Sequence, residues 1–225
     1  MKKLSVLVIA VLMATLCMFV ACNKPDDYND ANEYTAVFEV VPDGYGNLDT
    51  RVDDTISAIK SLLSSNGITR LSITKGTNSV GNITVSVQVL DTEDNKRVLC
   101  LIGRPVTLEF KGENSASAEN LIVGREHLET AFITRDSNDN YAIGLKFNEQ
   151  GAEKFAQVTS AYLNRTIYVY FDGELYTSVI VNSQIATGEA IITTGSYGYT
   201  YTEAKEFVTR LQAGAFGVNL RQTEV

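Results

Sequence analysis

The first half of the chain alternates between extended and helical patterns of apolar residues. Apolar side chains recur at spacings of three and four over residues 52–63, which places them on one face of a helix. We expect this helix to begin with Thr50 as its N-cap and to end at Asn66-Gly67. A second, shorter helix is predicted over 92–102. The extended segments of this half are 35–41, 70–74, 83–89 and 105–110.

These elements follow one another in the order β-α-β-β-α-β, which is that of the ferredoxin-like split arrangement. Strand 83–89 alternates apolar and polar residues without interruption, as a half-buried strand does. The polar stretch 111–120 then interrupts the apolar pattern. We therefore predict a ferredoxin-like base subdomain over residues 34–111.

The second half reads as an α+β unit with a mixed or antiparallel sheet. Strands are predicted at 131–134 and 141–147, around a hairpin loop at 136–140, and again at 166–171, 175–181 and 189–193. One helix is expected to begin at Asn148, and another at Thr200, where Glu203 completes a capping box and Gly214 ends the helix. Asp172-Gly173 is a tight turn, and 217–220 is a candidate edge strand that returns to the first half. We predict a head subdomain with this return strand over 121–225.

The chain starts with the pattern of a secretory signal. Two lysines precede an apolar run over residues 4–20 that is short for a membrane span of ~20 residues. The sequence Phe-Val-Ala-Cys at 19–22 resembles a bacterial lipobox, so we expect residues 1–21 to be cleaved and Cys22 to carry the lipid. Residues 22–33 then form an acidic tether. The alternative is an uncleaved anchor helix.

Charge and rare residues narrow the classes of function. The formal net charge is −8, and becomes −10 without Lys2 and Lys3, so no basic surface for nucleic acid is expected. His127 is the single histidine, which excludes a multi-histidine metal site, and there is no tryptophan. With Cys17 removed and Cys22 lipidated, Cys100 stands alone among apolar neighbours. We interpret Cys100 as a buried small side chain and not as a nucleophile.

No constellation of catalytic or cofactor-binding residues is evident, and we expect neither an enzyme nor a cofactor. The sequence has no G-x-S-x-G, H-E-x-x-H, G-x-x-x-x-G-K or C-x-x-C. His127 is interpreted as a surface or helix-start residue. The acidic pairs at 26–27 and 53–54 and the cluster at 136–139 lack the spacing of a calcium loop. The alternating tyrosines 197, 199 and 201 are interpreted as strand-edge packing, with an aromatic contact surface as the alternative.

The second half also carries a set of ordered motifs. They begin with GREHLETA at 124–131 and LKFNEQGAEKF at 145–155, and continue with FDG at 171–173 and IATGEAII at 185–192. GYTYTEA at 198–204 and LQAGA at 211–215 complete the set. Together these blocks resemble the head subdomain of the first periplasmic domain of SecD, the accessory subunit of bacterial protein export. The first half is similar, more loosely, to the base subdomain of that family, so that the resemblance covers about residues 36–221.

Some positions depart from the family pattern. Val179 stands where the family commonly has a proline, and Phe216-Gly217 replaces a proline-containing exit. SecD places this domain between membrane helices, whereas we find no second apolar span here.

Three functional hypotheses follow. The resemblance favours a non-enzymatic lipoprotein, held on the extracytoplasmic side of a membrane by its lipid, that assists protein export by binding translocon subunits or translocating polypeptide. The second hypothesis is an envelope lipoprotein that uses the same fold for an unrelated protein interaction. The third is an extracytoplasmic enzyme, which loss of turnover in His127→Ala would reveal.

Overall fold

The structure is a computed structural model and describes residues 33–122, 127–194 and 198–223. The predicted signal peptide and residues 22–32 of the predicted tether, including Cys22, lie outside these residues, as does Tyr197. Glu33, the last residue of the predicted tether, is the first residue of a strand. The elements are β1 (Glu33–Val41), α1 (Leu48–Ser65), β2 (Leu71–Thr77), β3 (Ile83–Leu90), α2 (Glu93–Ile102), β4 (Leu108–Lys111), β5 (Asn120–Ile122), β6 (Leu128–Arg135), β7 (Tyr141–Phe147), α3 (Glu149–Ala161), β8 (Thr166–Phe171), β9 (Glu174–Ile180), β10 (Glu189–Ile192), α4 (Tyr201–Gly214) and β11 (Asn219–Thr223).

The first core lies between one four-stranded antiparallel sheet and two helices. Its strands run in the order β11-β1-β3-β2, and α1 and α2 supply the helical part of the core. Ala36, Phe38 and Val40 of β1 are fully or almost fully buried, because every second residue of a strand points to the same face. This sheet has the strand order expected of a ferredoxin-like fold, and the predicted fold class is confirmed.

The fourth strand of that sheet is not the one that the sequence order indicated. The predicted extended segment at 105–110 does contain a strand, β4, but β4 pairs with β5 and β8. The place beside β1 belongs to β11, with Leu220 opposite Val40. Burial explains this exchange, since Val106 and Phe110 enter the second core while Val218 and Leu220 enter the first. The predicted return strand is thereby confirmed.

The second core lies among two further sheets and the helices α3 and α4. The sheets have the orders β10-β7-β6 and β5-β4-β8-β9, with antiparallel pairing throughout. Strand β5 was missed by the sequence analysis because its three residues follow a polar stretch and show no periodicity. The predicted subdomain limits at 34–111 and 121–225 remain predictions.

Local side-chain caps fix where the helices begin. Asn148 and Thr200 are N-caps as predicted, and the capping box of Thr200 with Glu203 is formed. The prediction of Thr50 as the cap of α1 is wrong. Asn47 holds this position, and its Oδ1 accepts from the backbone N–H groups of Asp49 at 3.0 Å and Thr50 at 3.3 Å. The helix therefore begins three residues earlier than predicted.

Helix α4 connects the two cores. Val208 and Leu211 are buried in the second core, whereas Ala213 is buried in the first. Glu206 forms an ion pair with Arg97 of α2. At the end of the helix, Gly214 packs so closely that a Cβ atom there would lie 2.4 Å from the carbonyl oxygen of Val106. This close approach holds the connection between α2 and β4 against α4.

Candidate functional site

An apolar groove opens where two sheets of the second core end. Strand β9 is the last strand of one sheet and β10 is the last strand of the other. The groove between them has a volume of about 350 Å³, at the lower end of the ~300–1,000 Å³ range of ligand pockets. A groove of this size accommodates a few side chains and not a folded partner.

The lining of this groove carries no charged side chain. Eleven of its sixteen residues are apolar, and the other five are threonine, serine or asparagine. The lining residues are Phe110, Phe155, Thr159, Ile167, Val169, Thr177, Val179, Ile180, Val181, Asn182, Ser183, Ile185, Ala190, Ile191, Ile192 and Thr193. A charged group placed here would lose its hydration without gaining an ionic partner, so the groove favours uncharged, apolar occupants.

Packed aromatic rings form one wall of the groove. The rings of Phe110 and Phe155 meet edge to face with centroids 5.9 Å apart, and Phe147 packs against both, at 6.2 and 5.0 Å. Below them, the hydroxyl of Thr159 donates to the carbonyl of Phe155 at 2.8 Å and accepts from the N–H of Ile185 at 3.0 Å. This second bond holds the segment before β10 against α3.

The mouth of the groove exposes large apolar side chains. Val179 is 48% exposed, Ile180 63% and Ile191 57%, and all three also line the groove. Single exposed apolar residues are ordinary on protein surfaces, whereas a contiguous group indicates an interaction site. The combination of an uncharged interior and an apolar mouth marks the groove as the candidate functional site.

His127 lies outside the groove. Of its two predicted places, at the surface or at a helix start, the surface is wrong. His127 is only 5% exposed, and its carbonyl accepts from the N–H of Asn148, the N-cap of α3, at 3.0 Å. Gly151 approaches the same carbonyl so closely that a Cβ would lie 2.4 Å from it. The sequence could not reveal this burial because the α3 residues that cover His127 come more than twenty positions later.

The prediction of a buried Cys100 is also wrong, since the side chain is intermediate in exposure. Its neighbours Val98, Leu99, Leu101 and Ile102 are all buried. All five residues are on α2, where consecutive side chains point in different directions, so that an apolar run does not bury each of its members. Cys100 is not among the residues of the groove.

Asp53 of the acidic pair on α1 and residues of the acidic loop after β6 form ion pairs and hydrogen bonds within the protein. Asp53 pairs with Lys75 at 2.8 Å, and Asp139 with Arg135 at 3.3 Å. Asp136 accepts hydrogen bonds from the backbone N–H groups of Asn140 and Asn138, which lower the pKa of its carboxyl group. No group of three or more potential metal ligands occurs within residues 33–122, 127–194 and 198–223.

Two of the alternating tyrosines lie in the described part of the chain. Tyr199 is partly buried, with its ring 6.2 Å from that of Phe207 and its hydroxyl in contact with that of Tyr176. Burial raises the pKa of both hydroxyl groups. Tyr201 is 53% exposed and packs on Tyr141 with centroids 5.5 Å apart. Tyr199 forms a bridge with Tyr141, in agreement with edge packing.

The groove was not predicted from the sequence, although two features of it are visible there. Residues 175–181 are an uncharged run on a strand that the structure places at the end of a sheet, and residues 190–192 are apolar on a second such strand. From the sequence alone, neither feature shows which strands lie at the ends of the sheets.

Within residues 33–122, 127–194 and 198–223, none of the helices combines the length and the apolar character that a membrane span needs.

The fold defines an α+β protein in which a ferredoxin-like sheet and a second unit with an open groove are connected by α4. The family model described as "SecDF, P1 head subdomain" matches residues 105–218. The chain belongs to this family. The resemblance recognised in the sequence motifs is thereby confirmed.

Curated relatives are similar over much of the chain. The "Protein translocase subunit SecD" of Dictyoglomus turgidum is 27% identical over 176 residues, which cover 78% of this chain and 41% of the relative. The protein of the same name from Sebaldella termitidis is 28% identical over 141 residues, covering 61% and 34% respectively. The chain thus spans about two fifths or less of the length of these relatives.

Solved structures show the same fold. The chain described as "Structure and function of a membrane component SecDF that enhances protein export" is matched with a TM-score of 0.63 at 20% identity, over 85% of this chain and 99% of that chain. A crystal structure of SecDF in the super-membrane-facing form is matched with a TM-score of 0.64 at 22% identity, over 86% of this chain and 30% of that chain. At 85% and 86% of this chain, both matches extend beyond residues 105–218, which make up about half of it. They therefore include elements of the first core as well as of the second.

Proposed function

We propose that the protein is a non-enzymatic accessory of protein export and that its groove holds a short apolar segment of an unfolded polypeptide. The observation that carries this proposal is the uncharged groove between β9 and β10, with Val179, Ile180 and Ile191 exposed at its mouth. The names of the relatives, which are translocase subunits, agree with a role in export. We further propose that lipidation of Cys22 holds the protein at the extracytoplasmic face of a membrane.

Physical chemistry supports an unfolded chain as the occupant. An unfolded polypeptide exposes apolar side chains that a folded protein buries, and moving them into an apolar groove is favourable by roughly 25 cal/mol per Å² removed from water. Without charged groups to fix its position, the groove recognises apolar character and not one particular sequence. Weak, sequence-tolerant binding follows, as an export accessory that meets many different substrates requires.

Binding of a permanently unfolded, fluorescently labelled polypeptide to the purified chain tests the proposal. We expect Val179→Asp to weaken this binding by about tenfold, corresponding to ~1.4 kcal/mol, because the new carboxylate lies in the apolar groove. Val80→Asp is the matched control, since Val80 is 77% exposed and lies between β2 and β3, outside the groove. Equal binding by the two variants would contradict the proposal.

A second experiment addresses the cellular role. The lipidated full-length protein is cross-linked in native membranes, purified, and its partners are identified by mass spectrometry. Recovery of translocon subunits or of secreted polypeptides, with a loss in Val179→Asp but not in Val80→Asp, supports the export role. Recovery of one unrelated envelope protein in their place refutes that role and favours the second hypothesis of the sequence analysis.

A further inference from the structure

Strands at the ends of sheets expose unpaired backbone groups, and proteins normally protect them with charged residues, proline or a short length. The six end strands of the described residues are β2, β5, β6, β9, β10 and β11. Five of them follow this rule. Strands β5 and β10 have only three and four residues, and the other three carry a charged residue beyond their first position, namely Lys75 in β2, Glu129 and Arg135 in β6, and Arg221 in β11.

Strand β9 is the exception. After Glu174 at its first position, the six residues Leu-Tyr-Thr-Ser-Val-Ile at 175–180 contain no charge, no proline and no glycine. The strand pairs with β8 on one side, and none of the described strands pairs with its other side. From Leu175 to Ile180 it is therefore an uncharged edge with which none of the described strands pairs.

The outer edge of β9 lies beside the groove. Thr177 pairs with Val169, and Val179 pairs with Ile167. All four of these residues line the groove, so this face of the sheet forms one side of it. A strand added next to β9 would continue the sheet, and every second side chain of that strand would point to the same face and enter the groove.

We propose that the guest polypeptide binds as an additional strand, hydrogen-bonded to the outer edge of β9, with alternate side chains in the groove. This inference rests on the proposed function and specifies the class of substrate. Favoured segments alternate apolar residues with residues of any uncharged kind and contain no proline, because proline lacks the N–H group that the edge requires. Segments with a charged residue at a groove-facing position are disfavoured.

N-methylated peptides test this mode of binding. In an extended peptide of about six residues with alternating valine and threonine, the valine N–H groups point to one edge of the strand and the threonine N–H groups to the other. Three versions are compared in binding to the purified chain, namely the unmodified peptide, one with methylated valine amides and one with methylated threonine amides. Methylation removes the hydrogen-bond donor and leaves every side chain unchanged.

We expect one methylated peptide to lose about tenfold or more in affinity and the other to retain most of its binding. Equal affinities of all three peptides would show that side chains alone are bound, and equal losses in both methylated peptides would indicate a conformational effect of methylation. Either result overturns strand addition while the groove remains a binding site. If the unmodified peptide itself shows no binding that Val179→Asp weakens, the proposed function fails instead.

Amide hydrogen exchange provides an independent measurement on the protein side. Adding the unmodified peptide is expected to slow the exchange of alternate backbone amides between Leu175 and Ile180, because those N–H groups become donors to the guest strand. The amides of β2, an end strand of the first sheet, serve as the control and are expected to keep their rates. Unchanged exchange throughout β9 at saturating peptide would contradict the proposal.

Discussion

Arg210 on α4 forms an ion pair with Asp172 in the β8–β9 turn, with Nη2 of the arginine 3.1 Å from Oδ2 of the aspartate. Arg210 also donates from Nε to the carbonyl of Arg104 at 2.9 Å. The other carboxylate oxygen of Asp172 accepts from the N–H of Thr107 at 2.9 Å, and the N–H of Asp172 donates to the carbonyl of Thr107 at 3.0 Å. The Asp172 side chain thus links three parts of the molecule, namely the connection between the two cores, the turn that leads into β9, and α4.

The two interactions of the Asp172 carboxylate can be separated by substitution. Asp172 has a φ of 51°, which asparagine tolerates and alanine does not adopt without strain. Asp172→Asn keeps an acceptor for Thr107 and weakens only a partly exposed ion pair, so we expect a loss of less than about 1 kcal/mol. Asp172→Ala also removes the acceptor and is expected to cost about 2 kcal/mol. Urea unfolding measures both losses of free energy. Equal losses in the two variants would contradict the separate contributions of the ion pair and of the hydrogen bond to Thr107.

Two glycines are equally close to a neighbour but differ in what that neighbour is. A Cβ on Gly214 would lie 2.4 Å from the backbone carbonyl of Val106, and a Cβ on Gly144 would lie 2.4 Å from the ring of Phe132. The Phe132 side chain is exposed enough to rotate away, whereas the backbone must shift as a whole. We expect Gly214→Ala to lower the free energy of unfolding by about 2–3 kcal/mol and Gly144→Ala by less than about 1 kcal/mol.

Urea unfolding of these two variants checks the expectation directly. Alanine is more favourable than glycine inside both helices and strands, by roughly 0.5–1 kcal/mol. This intrinsic preference therefore stabilises both variants, and the difference between them reports the steric cost. If Gly144→Ala lost more free energy of unfolding than Gly214→Ala, the expectation would be contradicted. The backbone at Val106 would then adapt to an added methyl group more easily than the exposed ring of Phe132.

Asp43 contributes to the acid limb of the stability curve, in which the free energy of unfolding falls as the pH is lowered. The guanidinium of Arg51 donates to both carboxylate oxygens, at 2.6 and 2.5 Å, and holds the pKa of Asp43 well below its usual range. A lowered folded-state pKa gives stability that is present above the ordinary value near 4 and is lost as the pH falls through the lower, folded value. We expect Asp43→Asn to lose less stability than the wild type between about pH 6 and pH 3.

The free energy of unfolding in urea at several pH values measures this difference. Asp136 contributes to the same acid limb in the same direction, so Asp43→Asn is expected to flatten the limb without abolishing it. Parallel curves for the wild type and Asp43→Asn would show that the Arg51 pair does not persist in solution.

The alkaline limb depends on the pair of tyrosine hydroxyls in the second core. Burial raises the pKa of both Tyr176 and Tyr199. For an acid whose folded pKa is raised, stability is fully present below the ordinary value near 10 and is lost as the pH rises towards the folded value. We expect Tyr199→Phe to lose less stability than the wild type between about pH 9 and pH 11.

Tyr201→Phe is the matched control. Tyr201 is the first residue of α4, two positions after Tyr199, but its ring is largely exposed. Its alkaline limb should follow that of the wild type. The ultraviolet absorbance of tyrosinate, recorded during the same titration, reports whether the buried hydroxyls ionise only as the protein unfolds. Ionisation of all tyrosines before unfolding would contradict the assignment.

Neighbouring residues alone specify several of the predicted elements. Asn148 and Thr200 begin helices because their own side chains accept from backbone N–H groups three residues later. Strand 141–147 and strand 166–171 were predicted with the observed bounds because the alternation of side chains is a local property. The ordered motifs of the second half, read as a resemblance to SecD, were confirmed by the family match over residues 105–218.

The sequence by itself therefore determined the elements other than β5, the N-caps of two of the four helices and the family of this protein. Only the tertiary structure decided that β4 leaves the first sheet and β11 completes it, that His127 is buried, and that β9 and β10 end their sheets on either side of a groove. The physical reason is that strand pairing and burial depend on residues far apart in the chain. Leu220 meets Val40, and Val106 meets Gly214, through contacts that no local pattern specifies.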